Sequence, residues 1–286
     1  MVYLAIVISI IILALAIPLI ETLRWWRLWH NNIPKQPHTQ QWSRALVFLT
    51  GISDFSDPEL STEQKYFVEK LPSLLKTDLN IATPFPYNSD ICKRYTQINM
   101  VRRLFGTPLP MWVCSLHNFW QTALAVLWKR RYGKSVARCL RTTLGEIESQ
   151  HTIFFVCGSA GAAIALAAIP DLVEDSNANI VIISYGGIFC FHKGSLYVTR
   201  HLQFVGEKDI WVRMWRFTMR QSWWANRFQK KAIGDCRYQC YNTGPHYHFD
   251  ERGYLSLCVE PLTEKTYQQL TFEKIRAQIL SSEERY

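Results

Sequence analysis

Thr152-Ile-Phe-Phe-Val-Cys-Gly-Ser-Ala-Gly-Ala-Ala-Ile-Ala-Leu-Ala-Ala168 is the stretch on which the fold of this chain turns. It opens with a β-branched and aromatic run that reads as a buried strand, and it closes with an Ala-rich run that reads as a helix. Between them, Cys157-Gly-Ser-Ala-Gly161 contains nothing but small residues. A strand-to-helix turn of this kind is so tight that bulky neighbours would clash. It would lift the Ser159 hydroxyl above the sheet edge at a helix N-terminus and aim the Ala160 amide where an oxyanion forms. The plainer reading of the same five residues is a close crossing of a strand and a helix.

Working outward, Ala45-Leu-Val-Phe-Leu-Thr50 ends at Gly51 and reads as another buried strand, and Leu79 to Thr83 as a short one. Asn179-Ile-Val-Ile-Ile-Ser184, His201-Leu-Gln-Phe-Val205 and Arg237-Tyr-Gln-Cys-Tyr241 follow, separated by helix-length gaps. Thr62 to Lys76 has helical spacing behind a capping pattern, Ser61 with Gln64 three residues later. Continuous rather than alternating apolar strands between helices predict an α/β fold, a mostly parallel sheet with helices on both faces.

The N-terminal end has a different character, since Met1 to Ile20 carries no charged side chain. Such a run, as a helix, is about 30 Å long, the thickness of a bilayer's hydrocarbon core. Glu21, Arg24, Trp25, Trp26, Arg27 and Trp29 follow it as an aromatic and basic flank. We therefore expect residues 1–22 to be a single-pass transmembrane anchor, 23–44 a juxtamembrane linker broken by Pro34 and Pro37, and 45–286 the folded domain. A cleaved signal peptide is the competing reading, with Ala14-Leu-Ala16 as its small-residue site, but no Lys or Arg precedes the apolar run. The positive flank predicts a domain on the cytoplasmic side.

The 286 residues contain 32 Lys plus Arg against 23 Asp plus Glu, a net charge of +9, which suits anionic neighbours without choosing among them. With 48% hydrophobic residues, wholesale disorder is excluded. Eight Cys lie scattered with no Cys-x-x-Cys, the pattern of buried thiols in a reducing compartment. A disulfide framework is the alternative. Cys236 and Cys240, four apart, could share a helix face or a metal, yet no further ligands flank them.

Two more pieces follow the turn at Ser159. Gly206-Glu-Lys-Asp209 comes after the strand at 201–205, and Asn242-Thr-Gly-Pro-His246 after the strand at 237–241. Both fall on loops beyond the C-terminal ends of strands, where open parallel sheets bind ligands. The order Ser159, Asp209, His246 is the order in which an α/β-hydrolase supplies its triad. His246 is preferred over His248 because it follows Gly244-Pro245 directly, and His248 is expected to pack locally.

From Ala45 to Leu257 the chain resembles the α/β-hydrolase superfamily, and within it uncharacterised membrane-anchored bacterial, especially cyanobacterial, hydrolase-like proteins. The likeness lies in Phe48-Leu-Thr-Gly-Ile-Ser-Asp-Phe-Ser56, Pro84-Phe-Pro-Tyr87, the turn at Ser159, Ser184-Tyr-Gly-Gly187, Gly206 to Asp209, and Thr243-Gly-Pro-His246 with Arg252-Gly-Tyr254. The resemblance implies Ser159 as nucleophile, His246 as general base, Asp209 as its orienting carboxylate, and the amides of Ala160 and Ile52 as oxyanion hole. It implies acyl transfer on an ester, thioester or amide, lipid-like substrates included, with no metal and no organic cofactor. Cys157 stands where the commonest version of the turn has Gly. That departure keeps a second reading open, a catalytically inactive assembly or scaffold protein of a membrane complex that retains the fold.

Two further patterns bear on partners. His246-Tyr-His248-Phe-Asp250 resembles the start of the metal-binding motif of metallo-β-lactamase-like hydrolases, but residue 251 is Glu and no His follows 248. If Ile210 to Lys231 were one helix, Arg213, Arg216, Arg220, Arg227 and Lys231 would share an arc of roughly 60°, with Trp211, Met214, Trp215 and Met219 opposite. That face reads as solvated over a core stripe, or as a contact with anionic lipid or an integral membrane partner. No nucleic-acid motif accompanies the charge. Residues 92–145, with Trp112, Phe119 and Trp120, are read as core or as a lid.

Overall fold

The computed structural model describes residues 2–31, 41–49, 59–82, 110–220 and 223–283. The elements are α1 (Val2–Asn31), β1 (Arg44–Leu49), α2 (Thr62–Val68), α3 (Leu71–Leu75), β2 (Leu79–Ile81), α4 (Met111–Leu127) and α5 (Lys129–Leu144). They continue with β3 (Thr152–Gly158), α6 (Gly161–Val173), β4 (Asn179–Tyr185), β5 (Arg200–Val205), α7 (Ile210–Arg220), α8 (Trp223–Gly234), β6 (Tyr238–Asn242) and α9 (Tyr267–Glu283). The strands form one sheet in the order β2-β1-β3-β4-β5-β6, every pair parallel. The fold is α/β, as the strand pattern implies.

Period-two alternation divides the strand residues between two cores. Ala45, Val47 and Leu49 of β1, Ile153, Phe155 and Cys157 of β3, and Ile180 and Ile182 of β4 pack with Trp25, Tyr132, Val136, Leu140 and the apolar side of α6. Leu46, Phe48, Phe154, Val156, Ile183, Leu202 and Phe204 face the other way, onto Phe67, Leu71, Leu75, Ile275 and Ile279. Both faces of the sheet are therefore buried, which is why its strands read as unbroken apolar runs.

The helix expected over 62–76 is two helices. Its capping box is present, Gln64 N–H donating to Ser61 Oγ and Ser61 N–H to Gln64 Oε1. Pro72 then deprives the chain of an amide donor, and a new helix starts at Leu71. Residues 23–31, expected as linker, continue α1, with Trp25 fully buried in the core beside α5. Of the rest of that linker, 32–40 lies outside the described residues, as do the side chains of residues 2–12, while Trp42 is buried in the core and Arg44 opens β1. Among the described residues no helix is long and apolar enough to cross a membrane. The described part of the stretch read as core or lid is α4 and α5, whose Tyr132, Val136 and Leu140 sit in the core, so α5 belongs to the body of the domain. Residues 92–109 lie outside the described ones. The seven described cysteines form no disulfide with one another.

Two interior histidines give the fold a pH dependence. His201 packs against the Phe189 and Tyr238 rings and lies 2.9 Å from Ser184 Oγ, and burial pushes its pKa down to about 3. His192 accepts from Gly194 N–H, and burial, then the charge of Lys129, bring it to about 4. The unfolded chain titrates these groups near the ordinary value of 6.5. Between pH 6.5 and 4 it therefore binds more protons than the folded chain, so this stability is complete above pH 6.5 and is lost as pH falls. Urea titrations at pH 7.5 and pH 5 should show a loss of about 4 kcal/mol at the lower pH, roughly half from each group. Equal stabilities at the two pH values would show that these imidazoles are not held neutral.

Candidate active site

The turn after β3 has the backbone that its composition implies. Ser159 has φ 43°, a left-handed conformation that a residue with a side chain adopts at a cost on the order of 1–3 kcal/mol. Neighbouring contacts hold it there. Ser159 N–H donates to Tyr185 O at 3.2 Å, and Ser159 O accepts from Ile188 N–H at 2.9 Å. A Cβ on Gly158 would lie 2.8 Å from the Tyr185 ring, and one on Gly161 would lie 2.5 Å from Leu49 O, so neither position admits a larger residue in place. Cys157 is compatible with the turn because its side chain is fully buried among the residues of the α6-side core, where burial pushes the thiol pKa up.

The loops after β5 and β6 are laced to each other by backbone bonds. Glu207 N–H donates to Gly244 O at 2.8 Å and Lys208 N–H to His246 O at 3.2 Å. A Cβ on Gly206 would lie 2.4 Å from His246 O, so this approach requires glycine. The lacing sets Asp209, at the start of α7, directly beside His248. His248 Nδ1 is 2.8 Å from Asp209 Oδ2, and its Nε2 is 2.9 Å from Ser159 Oγ. A carboxylate only accepts, so Nδ1 carries the proton, and Nε2 is left to accept from the serine hydroxyl.

Asp209 is fully buried, and its remaining bonds are accounted for. Oδ1 accepts from Val212 N–H at 3.0 Å, and Oδ2 also accepts from Tyr254 O–H at 2.7 Å, while Tyr254 O in turn accepts from Gly206 N–H. Burial works to raise the Asp209 pKa. The hydrogen bond and charge of His248, the Val212 amide and the Tyr254 hydroxyl outweigh it and hold the carboxyl below its ordinary value. The group is thus an anion in the interior, and it fixes the imidazole's tautomer and orientation.

The imidazole that the structure brings to Ser159 is that of His248, not that of His246 as the sequence reading expects. His246 is fully buried on the far side of Tyr254, its ring stacked on the tyrosine at 5.3 Å, with Nε2 donating to Tyr267 O at 2.9 Å and lying 3.1 Å from Thr271 Oγ1. Burial lowers its pKa. The physical reason is that the carbonyls of Gly244 and His246 are engaged by the 206–209 loop. The chain therefore passes alongside that loop before His248 turns toward the serine.

Ala160 precedes the first residue of α6, at the end of a helix where amides lack intrahelical acceptors and the dipole is positive. Ile52 lies outside the described residues. The arginine face expected on one helix over 210–231 is divided between α7 and α8. Arg213 turns back to the carbonyls of Asp209 and Glu207, Arg216 Nη1 lies 3.6 Å from Cys240 Sγ, and Arg227 is exposed. The Arg220 and Met219 side chains lie outside the described ones. Trp211 and Met214, expected in the core, are exposed together with Ile210 and Phe217, while Val212 and the partly buried Trp215 face inward. Trp211 also packs on Phe249, whose ring stands edge-on to His248.

The site thus holds a hydroxyl, an imidazole and a buried carboxylate in a hydrogen-bonded row. Such a row can move a proton from Ser159 to His248 and stabilise the resulting imidazolium. No family model, no curated protein and no solved structure matches the chain.

Proposed function

We propose that the protein is a serine hydrolase of the α/β-hydrolase type, anchored in a membrane by its N-terminal helix, that cleaves an ester, thioester or amide. The observation that carries this reading is the row Ser159 Oγ–His248–Asp209, with bonds of 2.9 and 2.8 Å, on a strand-turn-helix whose serine is held at φ 43°. The chain order Ser159, Asp209, His248 supports the superfamily.

In the first step His248 Nε2 takes the Ser159 proton as Oγ attacks the carbonyl carbon, and the Ala160 amide faces the developing oxyanion, with Ile52 as the second donor of the resemblance. The imidazolium, stabilised by Asp209, then protonates the leaving group. Water, deprotonated by His248, releases the acyl group in the second half-reaction. Trp211 and Phe249 beside the imidazole, and the exposed Ile210, Met214 and Phe217 that follow Asp209 along α7, favour an apolar acyl chain. The charge-free Met1 to Ile20, helical from Val2, supports the anchor, and Arg24 and Arg27 after it support a cytoplasmic domain.

A fluorophosphonate probe applied to detergent-solubilised full-length protein tests this reading. Labelling at Ser159 alone, abolished in Ser159→Ala, is expected. A folded wild type that stays unlabelled would favour the scaffold reading that Cys157 leaves open.

A further inference from the structure

Helix α4 turns a stripe of large apolar residues outward while it buries several polar ones. At 100° per residue, Trp112, Leu116, Phe119, Ala123 and Leu127 fall within an arc of about 80°. Of these, Trp112, Phe119 and Leu127 are 49%, 53% and 75% exposed, and Leu116 and Ala123 are partly so. The opposite side is buried and mixes apolar Val113, Cys114, Leu124 and Ala125 with polar side chains: His117 and Gln121 are 1% exposed, Asn118 7% and Thr122 6%. A helix on the surface of a water-soluble domain shows the reverse arrangement, apolar toward the core and polar outward. Polar residues turned inward toward protein, with apolar residues turned outward, suit a helix whose outer surroundings are hydrocarbon.

The buried side of α4 meets α1, the helix that begins with the charge-free run. His117 Nε2 lies 3.1 Å from Glu21 Oε2, both groups buried, and Trp120 Nε1–H donates to Leu15 O at 3.2 Å. Val113 and Cys114 pack with Ile17. Helix α1 likewise exposes apolar Leu13, Leu15 and Ile20. A buried carboxylate and imidazole that meet across two helices, each apolar on its outer side, is how intramembrane polar groups are accommodated.

Charge sets the depth. No Asp, Glu, Lys or Arg occurs from Leu104 to Trp128, and the run is basic at both ends, with Arg102 and Arg103 before it and Lys129, Arg130 and Arg131 after it. Lys129, Arg130, Arg131 and the adjoining Lys134 are exposed, and Trp128 at the junction is 55% exposed. Val113 and Trp120, seven residues apart on α4, meet Ile17 and Leu15, two apart on α1, so the two helices cross, and the cations after α4 fall with Arg24 and Arg27 of α1. A helix that crosses the anchor, with Trp at its boundary and cations against anionic headgroups, lies in the interface rather than across it.

We infer that α4 is a second membrane-embedded element, lying in the plane of the cytoplasmic leaflet against α1 with the Trp112–Phe119–Leu127 stripe in the acyl region and Lys129–Arg131 among anionic headgroups. The inference rests on α1 being the anchor and is independent of the hydrolase chemistry. It makes the lipid attachment a two-helix platform and fixes the orientation of the domain above the bilayer, which a single helix on a free linker would not.

Photo-crosslinking of the full-length protein in vesicles of phosphatidylcholine and phosphatidylglycerol, with p-benzoylphenylalanine at one position at a time, tests it. Position Leu13 reports the anchor, Phe119 and Leu127 report α4, and Leu262, 91% exposed on a loop before α9, is the aqueous control. Lipid adducts at 13, 119 and 127 should each exceed the control by about tenfold, because only those positions would contact acyl chains. Adducts at 13 without adducts at 119 and 127 would overturn the inference and leave the anchor standing. Protein adducts at 119 and 127 would overturn it in favour of a second copy or a protein partner on this face. An absence of lipid adducts at all three positions would remove the anchor and the inference together.

Discussion

Replacing His248 with Ala will lower turnover of an activated ester, such as a p-nitrophenyl acyl ester, by about 10⁴-fold or more, as large a loss as Ser159→Ala causes, because members of a triad act as a unit. In His248→Ala the Ser159 hydroxyl loses its proton acceptor at 2.9 Å, and the buried Asp209 anion loses its principal partner. His246→Gln should behave differently. Its imidazole contacts Tyr267 O, Thr271 and the Tyr254 ring, not the serine, so the change should cost stability, on the order of 1–3 kcal/mol for disturbed buried hydrogen bonds, while kcat falls by less than about 100-fold. The ratio of the two kcat losses, measured on folded protein, is the decisive quantity. Should His246→Gln abolish turnover and His248→Ala spare it, the roles assigned here would be reversed.

The second large effect concerns stability and lies away from the serine. Gly133 is buried in α5 where that helix crosses α6, and a Cβ there would sit 2.0 Å from Ala167 O and 2.6 Å from Ala167 C. No side-chain rotation relieves a clash with backbone, so Gly133→Ala must push the helices apart along an interface that includes Tyr132, Val136, Leu140 and the alanines of α6. Ala in a helix interior is worth about 1 kcal/mol over Gly, and overpacking typically costs 1–3 kcal/mol, more when the backbone itself must move. We expect a net loss of about 3 kcal/mol, or roughly 10 °C in Tm for a domain of this size. Gly234→Ala is the control, since nothing lies within 4 Å of a Cβ at that position and it should not be destabilising. A Gly133→Ala protein that melts with the wild type would mean that the α5–α6 contact is looser than the structure has it.

Much of the architecture was legible in local pattern. Each strand is a short run of β-branched and aromatic residues because both faces of a parallel sheet are covered, and such runs differ from helices in length and composition alone. The turn at Ser159 was legible for a related reason: a chain that reverses between a strand and a helix within five residues tolerates little but small side chains, and the contacts at Gly158 and Gly161 show what excludes the rest. Asp209 was legible because it lies just beyond the end of β5. The break at Pro72 was also written in the sequence, but the helical spacing on either side of it masked the interruption.

Other features depended on residues far apart in the chain. Which side of α7 faces outward is set by Val212 packing inward and by Trp215 donating to Phe189 O at 2.8 Å, so the width of an apolar stripe could not say that Trp211 and Met214 would be exposed. The same holds for α4, where His117 meets Glu21 of α1 while Asn118 and Thr122 bond to carbonyls of their own helix, so that polar residues lie on its buried side. The choice between His246 and His248 is the clearest case. Both follow β6 on one loop, two residues apart, and local composition treats them alike. What separates them is the bonding of Glu207 to Gly244 and Lys208 to His246, together with Tyr254, Tyr267 and Thr271, contacts that exist only once β5, β6 and α9 are packed. The sequence by itself therefore determined where the chain leaves the sheet and which small residues permit the turn, because sterics and hydrophobic periodicity act over a few residues. Only the tertiary structure decided which imidazole reaches the serine and which helix faces look outward, because those outcomes are hydrogen bonds and packing between segments the chain brings together last.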